Sequence, residues 1–150
     1  MELCVLNHNM IFKMLKYFQG KWSFERSISK PALRARGKAT FTELSKDTLS
    51  YYECGTYTVD EIMYDFFQKR VFSCDGVALY IYKRDNSLLH KFELDRRQAF
   101  CPVTLKHDHV CGKDLYSCTL IFNTEKSFSI NYQIFGINKD YEIRTIFTKD

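Results

Sequence analysis

Arg26 and Glu53 are charged residues inside stretches that alternate as β-strands do, and each shares its face with large apolar side chains. Arg26 is in phase with Trp22, Phe24 and Ile28, and Glu53 with Tyr51 and Tyr57. A strand face lined by such rings is the buried face, where an unpaired charge costs several kcal/mol. Two arrangements relieve that cost: an ion pair between Arg26 and Glu53, or a carboxylate or phosphate ligand held by Arg26.

A second constellation is His107-x-His109-x-Cys111. On a strand all three project from one face, with neighbouring Cα atoms about 6–7 Å apart. Tetrahedral metal sites need ligands arriving from different directions, so the triplet holds no metal unless His90 or Asp114 completes it. The expectation is a hydrogen-bonded His109 in the sheet wall and a solvated His107.

Tyr116, Cys118, Leu120 and Phe122 continue one face from Asp114, and Phe128, Ile130, Tyr132 and Ile134 form another. A purely apolar core has no need of Tyr51, Glu53, His90, His109, Asp114, Tyr116 and Tyr132 on faces shared with Phe and Leu. Apolar walls with a few convergent polar groups are the usual design of a small-molecule site, and these seven with Arg26 are the candidate ligand-binding residues. Catalysis requires a histidine or carboxylate within hydrogen-bond reach of its partner, for which His109 with Asp114 or Glu53 is the candidate pair. The chain has no nucleophile elbow, Gly-rich phosphate loop or paired-carboxylate motif, and it specifies no cofactor.

The elements that must position these groups are nearly all strands. Segments 21–28, 37–44, 48–58, 62–73, 77–83, 88–94, 105–111, 114–122, 127–135 and 141–148 are enriched in aromatic and β-branched residues and partly alternate. Short polar connections separate them: Ser45-Lys46-Asp47, Asp75-Gly76, Asp85-Asn86-Ser87, Asn123-Thr124-Glu125 and Asn138-Lys139-Asp140. Asp75-Gly76 reads as a two-residue hairpin turn. Pro31 and Pro102 argue against central strands at 29–36 and 95–104. Met10, Ile11, Met14, Leu15 and Phe18 recur at helical spacing, which predicts a short helix over 10–18 that closes something apolar. A meander this long leaves sticky edges unless it closes, so the expected architecture is all-β: one antiparallel up-and-down barrel of about eight to ten strands, wide enough for one small ligand.

Composition agrees with one domain over residues 1–150: 45% of residues are hydrophobic and 16% aromatic. The net charge of +4 is mild and its Lys and Arg are interspersed with acids, so nucleic acid is not an expected partner. Neither a secretory leader nor a run long enough to span a bilayer is visible, which makes a cytoplasmic protein without a membrane partner the expectation. There the six cysteines are expected as thiols.

Gly20-x-Trp22 opening the first strand after a helix, with a basic residue near the end of the chain, resembles the lipocalin and fatty-acid-binding superfamily. That likeness implies that Trp22 closes the barrel base against a distant basic side chain, Arg144 or Lys139. A closer resemblance spans nearly the whole chain. Gly20-x-Trp22-x-Phe24-x-Arg26-x-Ile28, Leu49-x-Tyr51-x-Glu53-x-Gly55, Arg84-Asp85-Asn86 with His90 and Phe92, His109-x-Cys111-x-x-Asp114-x-Tyr116, and Gly136-x-x-Lys139-Asp140-Tyr141 occur in order. The series is similar to an uncharacterised lipocalin-like, calycin-type family, domain of unknown function 6314. The chain departs from that family at Asn86, where Gly then Arg is usual, and at Ile137-Asn138, where a Pro and a basic residue are usual. The resemblance implies a fold and no established activity. Binding of a small, partly polar organic molecule is therefore the leading expectation. An enzyme using acid–base chemistry in the same cavity is the second. A protein that pairs strands with another subunit, as a homodimer for example, is the third, and it predicts a filled barrel.

Overall fold

The computed structural model describes residues 14–94 and 103–150, with Val103 as backbone only. Ten strands follow a short helix α1 (14–18). They are β1 (Gly20–Ser29), β2 (Ala32–Ser45), β3 (Thr48–Val59), β4 (Ile62–Cys74), β5 (Ala78–Lys83), β6 (Leu88–Glu93), β7 (Val103–Cys111), β8 (Asp114–Thr124), β9 (Ser127–Gly136) and β10 (Lys139–Lys149). All neighbours pair antiparallel in the order β6-β5-β4-β3-β2-β1-β10-β9-β8-β7, so the sheet curls into a nearly closed barrel. Its two edge strands, β6 and β7, meet at a seam bridged by side chains, with His90 Nδ1 3.0 Å from His107 Nδ1.

Curling a sheet this far needs places where the backbone bends without a side chain in the way. Gly37 and Gly55 lie opposite each other in β2 and β3. A Cβ on Gly37 would stand 2.1 Å from the Cys54 carbonyl oxygen, and one on Gly55 2.5 Å from that of Arg36. Only glycine lets the two strands coil this closely. The Phe66 ring covers the bare Gly55 backbone, replacing the missing side chain.

Two local expectations change. Pro31 sits in the tight turn after β1, so it interrupts nothing and β2 begins at Ala32, inside the stretch expected to lack strand. The connection after β4 has three residues, because Asp75 Oδ1 accepts from the amides of Val77 and Ala78 and closes a wider turn around Gly76. Asn86 and Asn138 have φ of 69° and 63°, a left-handed conformation that asparagine tolerates and that explains a usual glycine at 86. Residues 10–13 of the expected helix and Pro102 lie outside the described residues.

One end of the barrel is packed solid. Phe18 of α1 meets Phe41 and Phe128 at ring-centroid distances of 5.1 Å, and Trp22 meets Phe128 at 4.8 Å. Phe72, Phe122 and Phe147 complete this plug, and all these side chains are buried. Trp22 Nε1 donates to the Phe18 carbonyl at 2.7 Å, tying strand to helix. Its basic neighbour is Lys149, with Nζ 5.0 Å from the indole centroid, rather than Arg144 or Lys139. Register decides this. Lys149 lies directly opposite Trp22 in the β1–β10 ladder, Arg144 points outward to Glu142, and Lys139 belongs to the other end, where it binds Asp114.

Candidate functional site

The other half of the barrel is open. It encloses a cavity of about 350 Å³, whose walls come from β1, β3, β4, β5, β6, β8, β9 and β10. That size is within the range of small-molecule sites. It also departs from the filled barrel that the strand-pairing expectation required.

Strand phase brings five of the candidate residues to its lining: Arg26, Tyr51, Glu53, Tyr116 and Tyr132. Arg26 and Glu53 form the ion pair that was one of the two expected arrangements. Nη1 and Nη2 of Arg26 donate to Oε2 and Oε1 of Glu53 at 2.8 and 3.0 Å, and Nε donates to Thr145 Oγ1 at 2.8 Å. The Glu53 side chain is 2% exposed and that of Arg26 18%. Tyr51 Oη also donates to Glu53 Oε1, at 2.7 Å. The guanidinium lies 4.8 Å from the Phe24 ring centroid, so it is held on its apolar side as well. Burial pulls the Arg26 pKa down, but the hydrogen bonds and charge of Glu53 outweigh it and hold the group above its ordinary range. Burial, then the Glu53 charge, push the Tyr51 phenol well up, so it stays a donor at any physiological pH.

His90, His109 and Asp114 do not reach the lining. His90 is fully buried behind Tyr132, whose hydroxyl is 2.7 Å from its Nε2. Burial, then the neighbouring His107 and His109, push its pKa down to about 3, so the ring is neutral. A neutral ring has one N–H, so one of its two contacts, with the Tyr132 hydroxyl or with His107 Nδ1, is donated and the other is accepted. His107 is thus a half-buried seam residue rather than a solvated one. His109 is in the wall as expected but forms no hydrogen bond among the described residues, its ring lying 6.3 Å from that of Tyr116. Asp114 sits at the rim and is held by Lys139 Nζ at 2.6 Å. The acid–base pair of His109 with Asp114 or Glu53 is therefore not assembled, because both carboxylates are engaged elsewhere. No group of three His, Cys, Asp or Glu among the described residues is arranged to hold a metal ion.

Four polar lining residues were not anticipated: Gln68, Arg70, Tyr141 and Thr145. Their signal was present in the alternation Phe66, Gln68, Arg70, Phe72 on β4 and Tyr141, Ile143, Thr145, Phe147 on β10. With its amide oxygen toward Arg70, Gln68 accepts from Arg70 Nη2 at 2.6 Å, and its amide nitrogen faces Glu53 Oε1 at 3.3 Å. Arg70 Nη1 donates to the Lys69 carbonyl at 3.0 Å. No carboxylate among the described residues pairs with Arg70.

Solved structures of the same shape exist. The S-type phycobiliprotein lyase CPES from Guillardia theta superposes with a TM-score of 0.63 at 7% identity, over 95% of this chain and 97% of that one. EF1p2_mFAP2b bound to DFHBI gives 0.54 at 8% identity over 93% and 99%, and a de novo designed fluorescence-activating β-barrel gives 0.52 at 11% over 92% and 98%. At such identities the likeness is one of fold. No curated protein matches the chain in sequence. The family model that does match covers residues 18–149, from the helix through the last strand, and by it the chain belongs to the family of unknown function DUF6314.

Proposed function

We propose that the protein binds a small, partly polar organic molecule in the open half of a lipocalin-like barrel. The observation that carries this is the cavity itself: about 350 Å³, walled by Ile81, Leu89, Ile130 and Ile143 on apolar sides and by a fixed polar network around Glu53 on another. A barrel that evolution needed only as scaffold would fill that space, since a void forfeits packing along its whole lining. The polar groups are also rigid. Arg26, Tyr51 and Thr145 are held together with Glu53 through bonds of 2.7–3.0 Å, so a ligand meets preorganised partners and orders little on binding. A barrel of the same fold is solved with DFHBI bound, which supports the architecture as a ligand holder.

Native mass spectrometry of protein purified from its own host tests this reading. The expected result is a co-purifying mass that is absent from Ile130→Trp, a variant whose indole occupies the cavity. Folded wild-type protein that carries no adduct and does not enhance the fluorescence of the neutral probe N-phenyl-1-naphthylamine would overturn it.

A further inference from the structure

The cavity holds two guanidinium groups and one carboxylate, and the carboxylate is fully used. Glu53 receives both Nη atoms of Arg26 and the Tyr51 hydroxyl. Arg26 in turn spends Nε on Thr145 and is no longer a free anion anchor. Arg70 differs on each point. It projects inward from β4 opposite Tyr51, its two bonds go to neutral oxygens, and a guanidinium has five N–H donors. Three donors are therefore left over on a charged group that lines the partly enclosed cavity, where attraction is less screened than in bulk water.

We propose that Arg70 anchors the head group of an amphipathic organic anion, a carboxylate with an apolar body. This rests on the cavity-binding reading above and names the ligand class. A planar carboxylate matches the guanidinium fork, and a charged hydrogen bond of this kind is about twice as strong as a neutral one. The apolar body follows from the rest of the lining, where Ile81, Leu89 and Ile130 offer no hydrogen-bonding group. Gln68 orients the anchor: its amide bridges Arg70 to Glu53, which keeps the second guanidinium beside the cavity without cancelling its charge.

Displacement of N-phenyl-1-naphthylamine by decanoate and by decanol tests the assignment, because the two share a chain and differ in charge at the head. In the wild type, decanoate displaces the probe at about tenfold lower concentration than decanol, the factor expected for one charge-assisted contact. In Arg70→Met that ratio falls to near one while the probe itself still binds, and in Arg70→Lys most of it survives. Equal displacement by acid and alcohol in the wild type, or a ratio unchanged in Arg70→Met, overturns the anion assignment and leaves the cavity reading standing. If Arg70→Met does not fold, Arg70→Gln is measured in its place with the same expected collapse. A folded wild-type protein that carries no co-purifying adduct and does not bind the probe overturns both.

Discussion

The plug and the cavity are built from the same strands, yet they have opposite chemistry. β1 gives Trp22 and Phe24 to the plug side and Arg26 to the cavity, β9 gives Phe128 and then Tyr132, and β10 gives Phe147 and then Thr145. Along each strand the inward residue changes from ring to polar group within two to four positions. The plug supplies burial without direction, while the cavity supplies directed hydrogen bonds that contribute little net stability and much positional fixity. The lesson is that the barrel's stability and its recognition surface are separated along the strand axis, so each can be broken without the other.

The strongest way to break the plug is Trp22→Ala. The indole is fully buried against Phe128, Tyr17 and the Phe18 carbonyl, and truncation of such a group costs about 3–5 kcal/mol. Urea unfolding of the variant is expected to show that loss. A cost below about 1 kcal/mol, a surface-like value, would mean the plug does not carry the fold.

Next in size is Glu53→Gln, which strands Arg26 beside an amide. The expected cost is about 3 kcal/mol, at the low end for a broken buried pair because Arg26 keeps some exposure. The double variant Arg26→Met, Glu53→Leu should lose clearly less than the sum of its single variants, since neither charge is left alone. Additive losses would show that the pair is not coupled, and the polar half would then be a collection of independent groups.

Much of this was legible beforehand, for reasons that differ between the two halves. Period-two alternation fixes which residues point inward, so Trp22, Phe24, Arg26, Tyr51 and Glu53 could be placed from spacing alone. Each of the ten strands overlaps its expected segment because turn residues punctuate the chain at short intervals. What alternation cannot supply is depth along the barrel axis. His90, His109 and Asp114 have the right phase, but one lies behind Tyr132, one in the wall and one on the rim. The basic partner of Trp22 was misassigned for the same reason: register selects Lys149, and register depends on every hairpin length between β1 and β10.

The seam behind the cavity gives an intermediate effect that depends on pH. His90 is neutral in the folded protein, its pKa lowered to about 3, first by burial and then by the charges of His107 and His109. The ordinary value is about 6.5, so below that pH the unfolded chain takes up a proton that the folded chain refuses. The contribution to stability is complete above about pH 6.5 and is lost as pH falls toward about 3, at up to about 1.4 kcal/mol per unit. His107 is also lowered by burial and adds to the loss with the same sign. The urea midpoint should therefore fall with a steeper acid slope in the wild type than in His90→Gln, a difference of about 2 kcal/mol by about pH 5. Parallel slopes would remove His90 from the seam's energetics.

The smallest expected effect separates the plug's own polar contact from its packing. Lys149 reaches over Trp22 and donates to the carbonyls of Tyr17 and Gln19, at 3.2 and 2.8 Å, where the short helix ends and its carbonyls lack partners. Burial lowers its pKa, which means that desolvation of the ammonium offsets part of what the indole face and the carbonyls contribute. Lys149→Met keeps the apolar stem against the ring and removes only the charge and its donors, so the expected loss is about 1 kcal/mol, mostly cation–π. Arg144→Met is the control, because Arg144 faces solvent from the same strand and among the described residues binds only Glu142. Thermal unfolding should rank Lys149→Met below Arg144→Met in stability and well above Trp22→Ala. A reversed order of the two basic residues would show that the plug is closed by packing alone, with the charge over the indole a bystander.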